Sequence, residues 1–132
     1  MSNYPAIHTY YLSGSYAATY SLGGLPTSPT VTSFAFSFLH PLMYVAIQSS
    51  TVYVYNPYTM SPSGSFNAAT AVSGLAAAPV GGLLLASPSG PVSLHLENPG
   101  FPFSATITGI STNATEIKTR ASTVFPLIEL IY

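Results

Sequence analysis

Residues 31–55 read VTSFAFSFLHPLMYVAIQSSTVYVY, and the fold is decided by how this stretch is parsed. It holds three short β-type runs. Val31 to Phe38 carries aromatics at alternate positions, Phe34, Phe36 and Phe38. Leu42 to Ile47 is almost continuously apolar, and Val52 to Tyr55 is β-branched and aromatic. Leu39-His40-Pro41 separates the first two runs and Gln48-Ser49-Ser50 the second two. Short runs rich in Val, Ile, Tyr and Phe predict antiparallel strands when turn residues bound them, because such side chains pack well on a pleated surface.

The stretch recurs. With an offset of 41 residues Val31 falls on Val72, Phe34 on Leu75, Ala35 on Ala76 and Leu42 on Leu83. With a hairpin one residue shorter, Val52 falls on Val92. An Asn-Pro follows both copies, Asn56-Pro57 and Asn98-Pro99. A period near 40 residues with about four strands per unit is the mark of a β-propeller blade.

On this reading residues 31–70 and 72–110 are full blades, with outer strands near Gly64 to Ala69 and at Phe103 to Ile110. Residues 7–25 hold two runs, Ile7 to Leu12 and Tyr16 to Leu22, around Ser13-Gly14-Ser15, and form an outer half-blade. Residues 114–132 hold two more, Thr115 to Ala121 and Val124 to Tyr132, and form an inner half-blade. Apolar positions follow a period of 2, and Gly and Pro recur too often for a helix. The expected architecture is a single all-β domain over 1–132 with split half-blades at its two ends. A β-sandwich or jelly roll, with the 41-residue echo accidental, is the alternative.

Residues 43–60, MYVAIQSSTVYVYNPYTM, resemble the YVTN type of propeller repeat: a Tyr-Val strand, a polar hairpin, a Val-x-Val strand and a turn. The second unit echoes it loosely over 84–99, with Leu84-Leu85-Ala86 in place of Tyr-Val-Ala. Members of that family are often associated with archaeal surface layers. The resemblance implies a fold, and it supplies no catalytic residue.

The chain has 132 residues, enough for one domain that buries roughly two-thirds of its unfolded surface. Only 4% of its residues are charged, against about 25% in an ordinary soluble domain. There is no Asp, and the charged side chains are Glu97, Glu116, Lys118, Arg120 and Glu129. Two basic residues cannot build the phosphate-contacting surface that nucleic-acid binding needs. A surface so poor in charge favours self-association. It also changes little with pH, because few groups titrate, and that suits a harsh exterior. There is no cysteine and no apolar run long enough for a membrane span. The start, MSNYPAIHTYYLSGS, lacks the basic and apolar regions of a secretory signal. Release inside a virus particle, or removal of a leader, reconciles that start with an exterior composition.

Candidate chemistry is thin. His8, His40 and His95 have no paired ligand spacing, so they read as structural or surface histidines, and no metal or cofactor is expected. Glu97, Glu116 and Glu129 share no motif and read as solvated turn or strand-edge carboxylates. Glu116, Lys118 and Arg120 alternate along one run, which reads as an exposed or inter-subunit strand face. Without Asp there is no Ser-His-Asp triad, and no Gly-x-Ser-x-Gly elbow or phosphate loop is present. The chain is therefore not expected to be an enzyme. Asn113-Ala114-Thr115 is a glycosylation sequon, so Asn113 is a candidate for modification. Ten tyrosines and seven phenylalanines suit core and interface packing better than a sugar platform.

Three blades are too few to close a propeller, and open strand edges recruit other chains. The expectation is a self-assembling structural subunit of an extracellular filament, surface layer or virion. The assembly residues would be Ile7, Tyr10, Tyr11, Tyr16 and Tyr20 at one end. At the other they would be Ile117, Val124, Phe125, Ile128, Ile131 and Tyr132. The alternative is a closed homodimeric propeller that binds a glycan or a host surface.

Overall fold

The computed structural model describes residues 5–26, 29–79, 81–88, 90–97, 103–106, 116–120 and 127–131. All its regular elements are strands. A two-stranded hairpin, β1 (Ala6–Tyr10) and β2 (Tyr16–Ser21), comes first. A four-stranded sheet follows, β3 (Val31–Phe36), β4 (Met43–Ile47), β5 (Thr51–Tyr55) and β6 (Pro62–Asn67), in that spatial order. A second four-stranded sheet is built by β7 (Gly74–Ala78), β8 (Gly82–Ser87), β9 (Gly90–Leu96) and β10 (Phe103–Thr106). A two-stranded sheet of β11 (Glu116–Arg120) and β12 (Leu127–Ile131) comes last. Every pairing is antiparallel, and strands adjacent in sequence are adjacent in the sheet. A jelly roll needs Greek-key order, with a fourth strand returned beside the first, and neither sheet has it.

The sheets stack face to face. In β4 both faces are apolar and buried, and in β5 Val52, Val54 and Tyr55 are buried while Thr51 and Tyr53 are half-buried. Tyr44, Ala46, Val52 and Val54 lie on one face and pack against Leu75, Leu83 and Leu85 of the second sheet. Met43, Val45, Ile47 and Tyr55 lie on the other and pack against Leu22 and Leu25, with Ile7 alongside. The far face of the second sheet buries Ala76, Ala78, Leu84, Ala86 and Val92. β7 lies against β3, and β11 lies against β7 and β8. The innermost strands β3, β7 and β11 therefore follow one another across the stack.

Polar ties fix these layers. Thr32 Oγ1 donates to Val72 O at 3.0 Å, and Leu75 N donates to Ser33 Oγ at 3.1 Å. Tyr55 Oη donates to Gly23 O at 2.8 Å, joining the turn after β2 to the first sheet.

The outer strand of the first sheet runs from Pro62 to Asn67 rather than from Gly64 to Ala69. A proline is tolerated there because it is the first residue of an edge strand, where no ladder bond needs its missing N–H. The preceding turn is closed by Asn56, whose Oδ1 accepts from Tyr58 N at 2.9 Å and whose carbonyl accepts from Met60 N at 2.7 Å.

Candidate interaction surface

Two features stand out from the packed sheets: a buried polar contact, and aromatic surface at one end of the stack. The polar contact joins β4, the turn before it and the turn after β9. Tyr44, fully buried on β4, donates to Glu97 Oε1 at 2.7 Å. His40 Nε2, in the half-exposed turn between β3 and β4, lies 3.4 Å from Glu97 Oε2. Burial first, and then the Glu97 carboxylate, pushes the Tyr44 hydroxyl far above the ordinary tyrosine range; a hydrogen bond with the Ser37 side chain opposes this. Burial likewise raises Tyr55. Glu97 was expected in solvent, yet it is buried. It sits in the turn after β9, its N–H donates to Gly81 O at 3.0 Å, and β4 lies above it. Tyr44 satisfies Oε1 with a hydrogen bond, while Oε2 has the His40 ring nearby but no hydrogen bond among the described residues. Gly81 suits this turn because its φ is +87°, a backbone conformation that other residues rarely adopt.

His95 is also buried, with its ring 5.5 Å from that of Phe66. His8 is exposed on β1, with Nδ1 2.8 Å from Thr19 Oγ1. Among the described residues no three His, Cys, Asp or Glu come together as a metal site.

The aromatic surface lies on β1–β2 and on β3. The register pairs Tyr10 with Tyr16 and His8 with Thr19, so these four share one face of the hairpin, and all are exposed. Tyr10 and Tyr16 are 62% and 57% exposed, with rings edge to face at 6.1 Å. Tyr11 is exposed at the hairpin tip, and Tyr20, the register partner of Ile7, is 36% exposed. Ile7, grouped with these tyrosines by sequence, is instead half-buried against the core of its own chain, because strand alternation sends it to the opposite face from His8. On β3, Phe34 and Phe36 are 56% and 49% exposed, although they pair with buried Val45 and Met43. A cleft of about 320 Å³ opens beside them, lined by Pro5, Ala6, Ile7, Leu22, Val31, Phe34 and Val45, with His8 as its polar member.

At the other end, Ile117 lies in β11 and Ile128 and Ile131 in β12. Val124, Phe125, Tyr132 and Asn113 lie outside the described residues. The described part contains no helix long and apolar enough to cross a membrane.

No family model matches the chain, and no curated protein is similar to it in sequence. Solved structures are similar in fold. The WD40 repeats of RRP9 superpose with a TM-score of 0.65 at 18% identity, over 86% of this chain and 35% of that one. Sqt1 of Saccharomyces cerevisiae gives 0.62 at 13%, over 89% and 34%. A chain of the mitotic checkpoint complex gives 0.61 at 13%, over 90% and 41%. The matched neighbours are WD40 β-propellers, and this chain has a β-propeller repeat fold spanning about a third to two-fifths of their length.

Proposed function

We propose that this chain is a structural subunit that assembles with copies of itself, through strand edges and tyrosine-rich contacts, into an extracellular filament, surface layer or virion. It performs no chemistry in this role. The observation that carries the reading is the exposed face of Tyr10 and Tyr16 on β1–β2, on a chain with only two basic residues and three acidic ones. Tyrosine is enriched at protein contacts because it offers large apolar area with a polar tip. A surface with so few charges has little repulsion to keep copies apart. The repeat unit in this reading is about 41 residues with four strands, of the YVTN type over 43–60. The half-blades are 7–25 and 114–132. The glycan-binding alternative draws less support, since the cleft beside Phe34 is lined almost wholly by apolar side chains.

Light scattering and negative-stain electron microscopy on purified protein test the proposal. Regular filaments, shells or a closed multimer are expected. Contacts of this kind should tighten in sulfate, which strengthens apolar burial, and change little in sodium chloride. A monomer at high micromolar concentration, or a monomer with a measurable glycan affinity, sinks it.

A further inference from the structure

We propose that the uncovered inner half of the β3–β6 sheet is a socket for the β11–β12 hairpin of a second copy, which there joins β1–β2 to make one four-stranded blade. The inference rests on the self-assembly reading above and names its partner and its contact.

The argument starts from how the chain covers its own sheets. Val31, Phe34 and Phe36 pair with Ile47, Val45 and Met43, so all six share one face. The three on β4 are buried, whereas the three on β3 are 37%, 56% and 49% exposed. The cover on this face is the β1–β2 hairpin with Leu22 and Leu25, and it stops short of β3. What the face lacks is an inner pair of strands. On the far face of the second sheet, the strand lying against β7 and β8 belongs to β11–β12. The chain therefore already uses this hairpin to cover the inner half of a sheet of the same kind.

The strand arithmetic agrees. β1 and β12 are each paired on one side among the described residues. The order β11-β12-β1-β2 would reproduce β3-β4-β5-β6, with β12 and β1 filling each other's open ladder. The cleft of about 320 Å³ lies between β1 and Val31, Phe34 and Val45, where the incoming strand would run. The same junction occupies the other exposed face. Tyr10 and Tyr16 would land on β9 of the second copy, where Leu96 is 36% exposed and lies on the same face as Val92 and Leu94 by alternation. Lys118 and Glu129 are register partners across the hairpin, and the four charged residues Glu116, Lys118, Arg120 and Glu129 sum to zero net charge. The contact is head-to-tail. It closes as a ring or runs on as a filament according to the rotation between copies.

The test is Phe34→Asp in the full chain, with Phe34→Leu as control and Phe36→Ser as a second socket variant. Phe34→Asp replaces an apolar side chain of the socket with a charged one and leaves the hairpin untouched. Its association should weaken by roughly thirtyfold or more, giving a particle of one chain, 13.8 kDa. Phe34→Leu should keep the wild-type size. Labelled Phe34→Asp protein should still be captured by wild-type chains, because its hairpin fits their open sockets, and should cap their growth. Wild-type size for both Phe34→Asp and Phe36→Ser overturns the socket while leaving self-assembly standing. Failure of wild type to capture folded Phe34→Asp protein overturns the head-to-tail pairing. A monomeric wild type removes both readings.

Discussion

The two faces of the β3–β6 sheet are equally apolar and unequally covered. On one, Tyr44, Ala46, Val52 and Val54 meet Leu75, Leu83 and Leu85, and no large side chain of that layer is left in solvent. On the other, Met43, Val45, Ile47 and Tyr55 are roofed by Leu22, Leu25 and Ile7, but Val31, Phe34 and Phe36 are not. The difference separates two uses of the same residue types. A full layer stabilises the chain itself, and a half layer leaves apolar area whose burial requires another body.

The largest expected effect is in the full layer. Leu83→Ala removes a completely buried side chain and should cost about 3 kcal/mol in denaturant unfolding. A loss below about 1 kcal/mol would mean that this layer is not the close-packed one.

Tyr44→Phe comes next, at about 2 kcal/mol, because the buried Glu97 carboxylate loses a donor at 2.7 Å. It should also alter the alkaline limb of stability. The folded protein holds the Tyr44 proton above the ordinary range, whereas the unfolded chain loses it near pH 10. That stability is therefore present below about pH 10 and lost as pH rises beyond it. Unfolding midpoints of Tyr44→Phe measured from pH 8 to 11 should fall less steeply than wild type; equal slopes would place the alkaline sensitivity elsewhere.

Tyr55→Phe should cost about 1 kcal/mol, since it removes the bond to Gly23 O that ties the hairpin turn to the sheet. Hydrogen exchange should show that loss as faster opening of β1–β2, with β7–β9 unchanged. Smallest of all is Phe36→Ala in the half layer, expected within about 0.5 kcal/mol for the monomer. If it costs as much as Leu83→Ala, the contrast between the faces fails.

Much of the fold was legible. Strand alternation and turn residues marked strands that the structure contains; over β1 to β6 the ends moved by one or two residues, and the expected runs Phe103 to Ile110 and Val124 to Tyr132 extend beyond the described residues. Less of the site could be read. Glu97 has an ordinary turn context, and its partner Tyr44 is 53 residues away, so no local pattern announced a buried carboxylate. The phenylalanines of Val31 to Phe38 read as core or interface side chains, and nothing local told which; Phe34, Phe36 and Phe38 are about half exposed. Ile7 resembled its tyrosine neighbours and turned inward with the opposite parity of the strand.

By itself the sequence determined the strand class, the chain-order pairing and the near absence of charge, because these depend on residue type and spacing within a hairpin's reach. Only the tertiary structure decided which apolar faces are covered, that Glu97 lies beneath Tyr44, and that β3 keeps one side open. Coverage depends on which distant element stacks on a sheet, and a period-2 pattern is the same on a strand whether its neighbour is present or missing.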